Sequence, residues 1–375
     1  MPEALRIQGR GPVAMALALF LSRQGFERGS MLIDPHAGEL PPWLASRSLA
    51  LSLGSWQLLS RIVVLPPAAP ITTVEVSLRG HAGRTRMHAS DLHAPALGYV
   101  LRYGALHRAL AAAITSLRPS MPPERGAPPD SVVPDRDART GYDAHAELLT
   151  IVADGDPGTD SQVRDFDQTA LLAEIVAERD AHGTAFERFT DEGPLALLPL
   201  PEAHRHALVW CARPAQSERR AGMEAHAFEA ELRDAFGGAL GALRLHGERV
   251  LAPLQRRVRV RDDDARLIAI GNAAQALHPV AGQGLNLGLR DAFELARLLG
   301  ELRAAGRPLV EAVAHYRRRR RTDRGAAVAL TDTLARAFTL PALARVESVA
   351  LAALDLFAPA RDGLASTLMF GLRTR

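Results

Sequence analysis

The residues best suited to chemistry lie in one stretch, residues 271–291, which read GNAAQALHPVAGQGLNLGLRD. The stretch follows the apolar run 266–270, which predicts a buried strand, and it leads into a helical pattern. Gly282, Gly284 and Gly288 crowd the turn between strand and helix, so backbone N–H groups are left free in one place. Such a turn suits phosphate or another anionic group of a cofactor.

A second turn of this kind lies near the N terminus, after a short strand at Leu5–Gln8. Gly9 permits a tight turn, Gly11 lets the backbone approach a pyrophosphate, and Ala14 lets the following helix pack close to the strand. Asp34 ends the next strand, 20 residues after Ala14, where it would accept hydrogen bonds from ribose hydroxyls. The spacing predicts a dinucleotide-binding βαβ unit.

The two turns resemble the FAD-binding motifs of the aromatic-ring flavoprotein monooxygenases. Asp154-Gly155, after the apolar run Leu148–Ala153, resembles the middle motif of that family. Residues 271–275 have Asn272 where most of the family has Asp, and in this they resemble its ubiquinone-biosynthesis hydroxylase branch. The candidate cofactor-binding residues are Gly9, Gly11, Ala14, Asp34, Arg47, Asp154, Gly155, Asn272, Pro279, Gly282, Gly284, Leu285 and Asn286. The resemblance implies FAD as the cofactor and NADH or NADPH as the electron donor.

Five further segments resemble the 2-polyprenyl-6-methoxyphenol hydroxylases of this family. They are residues 71–74, 79–83, 185–199, 208–211 and 356–362. The resemblance implies hydroxylation of 2-polyprenyl-6-methoxyphenol to 2-polyprenyl-6-methoxy-1,4-benzoquinol with O2, through a flavin hydroperoxide, in ubiquinone biosynthesis. His278 is the nearest titratable candidate for a catalytic base, and a structural role for it is equally open. The Phe and Leu residues of 185–200 are candidates to line an apolar tunnel for the polyprenyl tail.

Three alternatives stay open. The first is a hydroxylase of another ring position in the same pathway. The second is a flavin reductase or halogenase, although Trp43, Trp56 and Trp210 show no paired-tryptophan halogenase signature. The third is a non-catalytic FAD-binding scaffold of the biosynthetic complex. Oxidation of NAD(P)H on adding the phenol would separate an enzyme from a scaffold.

The elements predict an α/β (α+β) fold, in which a Rossmann-like FAD-binding domain carries an inserted, mainly antiparallel β-sheet substrate domain and C-terminal helices. The alternating runs that predict the antiparallel sheet are 169–177, 185–189, 195–199 and 206–211. Helices are predicted over 98–113 and 225–236. The predicted domains are 1–70, 94–163 and 257–335 for FAD; 71–93 and 164–256 for substrate; and 336–375 for the C-terminal helices.

The composition limits the class of protein. A chain of 375 residues exceeds the usual size of one core, which favours two associated domains. The net charge is only +3, and all 45 basic residues are Arg, as expected from codon bias in a GC-rich genome rather than from a nucleic-acid partner. The run Arg317–Arg321 is predicted to be a solvated helix face. Residues 118–146 are polar and rich in Pro, unlike the family.

Cys211 is the only cysteine, which excludes a disulfide within the chain and makes a cysteine metal site implausible, so a buried strand thiol is expected. The apolar segment Val13–Leu21 is too short to span a bilayer, and no signal peptide is recognised. The expected location is the cytoplasm. A peripheral contact with the inner membrane, for which 342–356 is a candidate, and membership of a ubiquinone-biosynthesis complex both stay open.

Overall fold

The computed structural model describes residues 4–33, 40–81, 83–117, 148–155, 161–259, 264–276, 283–320, 355 and 357–370. The strands are β1 Leu5–Gln8, β2 Met31–Ile33, β3 Ser48–Ser52, β4 Ala69–Ile71, β5 Thr73–Leu78, β6 Arg84–His88, β7 Gly98–Arg102, β8 Leu149–Val152, β9 Ser161–Ala177, β10 Thr184–Phe189, β11 Pro194–Pro199, β12 Arg205–Ala212, β13 Leu243–Arg259, β14 Leu267–Ala269 and β15 Gln275–Ala276. The helices are α1 Pro12–Arg23, α2 Pro42–Ala45, α3 Leu53–Ser60, α4 Tyr103–Thr115, α5 Pro214–Gly222, α6 Ala225–Phe236, α7 Gln283–Ala304, α8 over 312–320 and α9 Ala358–Phe370.

A four-stranded parallel sheet in the order β14-β8-β1-β2 forms the first layer. Leu5, Ile7 and Ile151 of its central strands are fully buried, whereas Arg6 and Gln8 of β1 are exposed. The helices α1, α4 and α7 contribute to the same core. In such a sheet, ligands bind beyond the carboxyl ends of the strands. The predicted βαβ unit of β1, α1 and β2 is confirmed.

An eight-stranded sheet in the order β15-β13-β9-β12-β11-β10-β5-β6 forms the second layer. All of its pairings are antiparallel except β10 with β5, so the predicted, mainly antiparallel sheet is confirmed. One face packs against α5 and α6 through a core that includes Trp210 and Phe228. Cys211 is buried in β12, as expected.

A small sheet in the order β3-β7-β4 corrects the prediction of one helix over 98–113. The chain is extended from Gly98 to Arg102 and becomes helical only at Tyr103. Tyr99 and Val100 favour a strand, and both pair with β4. A methyl group on Gly98 would lie 2.4 Å from the carbonyl oxygen of Leu51, so this position in the ladder requires glycine.

Over the residues that the structure describes, the arginine run is a solvated face only in part, since Arg318 is exposed while its neighbours have partners, and this corrects part of a second prediction. Arg320 is buried, and Arg317 donates to the carbonyl oxygens of Asp264 (2.9 Å) and Leu267 (3.2 Å). Arg319 pairs with Glu294 of α7 at 3.1 Å. These contacts fix α8 to the helix and strand that carry the Gly271–Asp291 stretch. Arg321 and residues 118–146 and 342–354 lie outside the described residues.

One face of the eight-stranded sheet packs against the small sheet, which shares Leu51 and Leu101 with the core of the parallel sheet and so belongs to the parallel-sheet half of the molecule. Ala185 and Ala207 of this face pack in a cluster with Ile71 and Val100 of the small sheet. Glu174 of β9, on the same face, forms an ion pair with Arg102 at the end of β7. This face is therefore turned toward the parallel-sheet half of the molecule, whereas the face under α5 and α6 is turned away from it.

Candidate functional site

The turn between β1 and α1 leaves an open helix N terminus. Gly9 has φ +133°, and a methyl group placed on it would lie 2.4 Å from the carbonyl oxygen of Ala153. Only glycine allows this approach. Gly11 is the N-cap of α1, with no side-chain cap, and Pro12 follows at the first helical position. The free N–H groups and the helix dipole together favour an anion at this end of α1.

Space is available in front of Gly11. A methyl group on Gly11 would meet only the Tyr103 hydroxyl, at 3.9 Å, among the described residues. The main-chain N–H of Tyr103 donates to the carbonyl oxygen of Arg47 (2.7 Å), which brings the predicted Arg47 to this end of the sheet. The Arg47 side chain is exposed, yet desolvation by surrounding protein lowers its pKa. An arginine stays charged even where surrounding protein partly desolvates it.

The middle motif lies against the first. The main-chain nitrogen of Asp154 would be 2.9 Å from a methyl group on Gly9, so the ends of β1 and β8 touch at this point. Gly155 has φ +93°, and a methyl group there would meet nothing within 4 Å of the described residues. Both Asp154 and Gly155 are exposed. The structure therefore places the middle motif at the rim of the same open space.

The third motif joins α7 to α1 through two glycines. Gly271 follows β14 with φ +58°, and Gly288 lies one turn into α7. A methyl group on Gly288 would be 2.8 Å from Val13 Cγ2 and 3.1 Å from the Cα of Gly271. The close approach of α7, α1 and β14 depends on these small residues. Three motifs that are far apart in sequence thus converge on one end of the parallel sheet.

Asn272 and Gly284 are neighbours in the third motif. A methyl group on Gly284 would lie 3.8 Å from Asn272 Oδ1, and the Asn272 side chain is exposed. Asn272 therefore stands beside the first turn of α7, where main-chain N–H groups have no partner within the helix. This position is compatible with a contact to a cofactor oxygen.

Exchanging Asn272 tests that contact. Asn272→Asp keeps an oxygen acceptor and should bind FAD with similar affinity. Asn272→Leu should bind FAD more weakly by about 1–3 kcal/mol, because it leaves a polar partner unmatched. FAD dissociation constants measured by fluorescence titration of apoprotein check both variants. Equal constants for all three proteins would show that residue 272 does not touch the cofactor.

Asn286, a predicted cofactor ligand, has another partner for its side chain. Its Oδ1 accepts from the main-chain N–H of Ser52 (2.8 Å), and its Nδ2 donates to the carbonyl oxygen of Ala50 (3.1 Å). The side chain is buried and ties α7 to β3. The expectation that this side chain holds the cofactor is therefore corrected, and only its main-chain N–H stays a candidate. Leu285 is half-buried and packs against the core beneath the parallel sheet.

Asp291 supports the third motif from below and was missed by the sequence reasoning. Its Oδ2 accepts from the main-chain N–H of Gly271 (3.1 Å), and its Oδ1 forms an ion pair with Arg320. Both side chains are buried. The available signal was a carboxylate on the helix face shared with Leu287 and Leu295, since residues four apart lie on one face. Asp291 fixes the Gly271 backbone and has no need to touch a cofactor.

Four predicted site residues, namely Asp34, His278, Pro279 and Gly282, lie outside the described residues. Within the described ranges, no group of His, Cys, Asp or Glu side chains could hold a metal ion. The open helix N terminus, the nearby Arg47 and the free space at Gly11 and Gly155 fit a nucleotide cofactor with an anionic pyrophosphate.

Comparison with known families decides which cofactor this end of the sheet serves. A family model described as "FAD binding domain" matches residues 132–329, which is more than half of the chain. The chain belongs to this FAD-binding family. The match contains the middle and third motifs, and the first motif lies N-terminal to it.

Two curated relatives are similar to this FAD-binding chain. "Ubiquinone hydroxylase UbiL" of Rhodospirillum rubrum is 39% identical over 197 residues, covering 49% of this chain and 46% of that protein. "3-demethoxyubiquinol 3-hydroxylase" of Escherichia coli K12 is 28% identical over 333 residues, covering 81% of each. The chain thus spans less than half the length of the first relative.

The fold is shared with solved structures. The crystal structure of pqsL, a probable FAD-dependent monooxygenase from Pseudomonas aeruginosa, superposes with a TM-score of 0.66 at 19% identity, covering 90% of this chain and 96% of that one. This likeness confirms the predicted mixed α/β architecture. No helix among the described residues is both long enough and apolar enough to cross a membrane.

Proposed function

We propose that this chain is a flavin-dependent monooxygenase that hydroxylates 2-polyprenyl-6-methoxyphenol to 2-polyprenyl-6-methoxy-1,4-benzoquinol in ubiquinone biosynthesis. The observation that carries the proposal is the convergence of three flavin-type motifs at one end of the parallel sheet, facing a separate apolar sheet. The similarity to two proteins named as ubiquinone-pathway hydroxylases supports it.

Bound FAD would supply the reduction of O2, which side chains cannot perform, with NADH or NADPH as the electron donor. The chain's own groups would bind and orient the cofactor. The α1 N terminus at Gly11 would hold the pyrophosphate, and Asp34 the adenosine ribose. Asn272 and the first turn of α7, which includes Gly284, would hold polar groups of the flavin half. The adjoining apolar sheet would exclude water from the reacting ring.

The choice of substrate depends on the segments that resemble the 2-polyprenyl-6-methoxyphenol hydroxylases. Residues 185–199 form β10 and β11, and residues 208–211 lie in β12. All three strands belong to the sheet whose one face is turned toward the parallel-sheet half. An apolar wall there suits a polyprenyl tail, since each buried CH2 contributes about 0.8 kcal/mol to binding. A tail of this kind is also the reason to propose a peripheral membrane contact or a lipid-handling partner protein.

The second candidate is hydroxylation of another position of the same ring. The Escherichia coli relative is named as a 3-hydroxylase and aligns over 81% of this chain, whereas the first relative aligns over 49%. This longer alignment is the observation that favours the second candidate. A scaffold that only binds FAD is the third candidate, and no described contact favours it over an enzyme.

A deletion strain tests the ring position. It should accumulate 2-polyprenyl-6-methoxyphenol, and the purified holoprotein should oxidise NAD(P)H on addition of that phenol and release the quinol. Mass spectrometry of lipid extracts and absorbance at 340 nm measure the two results. An intermediate lacking a different ring oxygen would move the assignment to the second candidate. If the flavin-loaded protein consumes NAD(P)H with none of the pathway precursors, the FAD-binding scaffold is the remaining candidate.

A further inference from the structure

The eight-stranded sheet carries one carboxyl group on the apolar part of its inner face. Glu187 of β10 is in register with Val76 of β5 and Ala196 of β11. Its neighbours two residues away on the same strand, Ala185 and Phe189, are buried and apolar. Because alternate residues of a strand share a face, Glu187 lies on the face of Ala185, which packs against the parallel-sheet half.

The residues between them confirm this orientation. Phe186 makes an edge-to-face contact with Phe236 of α6, with ring centroids 5.3 Å apart. The Arg188 Nε donates to the carbonyl oxygen of Ala235 in the same helix (3.0 Å). Phe186 and Arg188 therefore occupy the outer, helix-covered face. Glu187, between them, is turned inward.

The row of residues that starts at Glu187 continues across the sheet as an apolar surface. Ala196 is in register with Val209, and Val209 with Leu172. Val209 and Leu172 are only half-buried by the described residues. The inner face therefore offers an apolar surface with a single carboxyl group at one end. A ligand with a polar head and an apolar body matches this arrangement.

Several carboxylates of this domain are paired with arginine, and among the described residues Glu187 is not. Glu174 pairs with Arg102 and Arg205, while Glu192 and Glu231 pair with Arg220. No hydrogen bond or ion pair to the Glu187 carboxyl is recorded among the described residues. The side chain is half-buried, so part of it still reaches open space. Burying a carboxyl without a partner costs folding free energy. A carboxyl found in such a place is therefore a candidate for contact with a ligand.

We propose that Glu187 binds the hydroxyl group of the phenol substrate and accepts its proton. The inference rests on the proposed function. In this step the phenol O–H bond breaks, a carboxyl O–H bond forms, and the electron pair stays on the phenolate oxygen. The charge raises the electron density of the ring, which is the property that oxygen transfer to a ring carbon requires. Glu187 thus takes the place of a base for which the sequence reasoning offered only His278.

The surroundings make the carboxyl a stronger base. Desolvation raises the pKa of Glu187 from 4.5 to about 7. A phenol such as tyrosine has a pKa of about 10, so the shift narrows the gap that the proton must cross. Charged and titratable groups on the same face include Cys211, whose pKa is raised by burial and by the Glu187 charge, and Glu174, which pairs with Arg102 and Arg205.

The test uses flavin-loaded protein and 2-methoxy-6-prenylphenol as the probe. In the wild type, kcat should rise with pH through about 7, as the Glu187 carboxyl loses its proton and becomes able to act as a base. Glu187→Gln should lack this rise and show a fall in kcat of about a hundredfold with a smaller change in KM, as removal of a general base predicts. The rate of the variant should recover as the pH approaches the pKa of the free phenol. Glu187→Asp should restore part of the rate.

The matched control is Glu75→Gln, on the adjacent strand but on the outer face, where it pairs with Arg86 at 2.7 Å. It should leave kcat and its pH profile unchanged. Misfolding is separable, because a carboxyl whose pKa is raised on folding destabilises the protein as the pH rises through 4.5 to 7. At pH 8, Glu187→Gln should therefore unfold at no lower temperature than the wild type.

The outcomes separate the two proposals. Wild-type protein that consumes NAD(P)H with the phenol, together with a Glu187→Gln variant of identical kcat and pH profile, would overturn the role of Glu187 and leave the proposed function intact. Wild-type protein that binds no phenol and oxidises no NAD(P)H in the presence of any phenol would overturn both the role of Glu187 and the proposed function.

Discussion

The Gly11→Val variant should fold normally and be purified without flavin, whereas the wild type should be yellow with about one FAD per chain. Gly11 has φ −85° and ψ 172°, which valine adopts readily, and a side chain there meets only the Tyr103 hydroxyl among the described residues. The added methyl groups would instead occupy the space of the pyrophosphate. Overpacking of this kind costs about 1–3 kcal/mol, so FAD affinity should fall about fivefold to more than a hundredfold.

Two other glycines make the result interpretable. Gly29 has open space around it and lies outside the motif, so Gly29→Val should keep both fold and flavin. Gly9→Ala should lose stability as well as flavin, because its methyl group would collide with Ala153 at a positive φ. Circular dichroism and flavin released on denaturation measure fold and cofactor separately. A yellow Gly11→Val protein with wild-type affinity would remove α1 from the cofactor site.

Local pattern was enough for most of the elements. Apolar runs predicted β8 and β14, and the alternating runs predicted β9 to β12, because burial on one or two faces leaves a direct periodicity in the sequence. The short strand β1 was predicted from its place before the glycine turn. The 17-residue strand β13 left no such trace. It contains Gly247, Pro253 and several arginines, and its conformation depends on pairing with β9 rather than on its own propensity. Long-range pairing of this kind is not visible from one segment.

The same limit applies to the site. Turn chemistry identified the three motifs, since glycines with positive φ or close contacts serve a local geometry. The tasks of Asn286, Asp291 and Glu187 depend on partners that are distant in sequence or on the face that a strand presents. Asn286 binds Ser52 from 234 residues away. Only the folded chain shows whether such a polar side chain is committed to the backbone, to an ion pair or to a ligand.

Asp291→Ala should lower the free energy of unfolding by about 3–5 kcal/mol and weaken FAD binding, although Asp291 need not touch the cofactor. The substitution removes the carboxylate that pairs with the buried Arg320, and breaking a buried pair from one side carries a cost of this size. It also removes the acceptor of the Gly271 N–H, which leaves the third motif less firmly placed. Urea unfolding of the apoprotein and FAD titration measure the two effects.

Further variants separate the contribution of the Asp291 charge from that of its hydrogen bond to Gly271. Asp291→Asn keeps an oxygen for Gly271 and loses the charge, so it should bind FAD better than Asp291→Ala at a similar loss of stability. Asp291→Leu combined with Arg320→Met should recover much of the stability, because apolar residues can replace a buried pair, but not the affinity for FAD. On the exposed side of the same helix, Glu301→Ala breaks a surface pair with Arg297 and should cost no more than about 0.5 kcal/mol. If Asp291→Ala is as mild as Glu301→Ala, the buried pair contributes nothing to the motif, and the placement of Gly271 depends on the glycine contacts with Val13 and Gly288 alone.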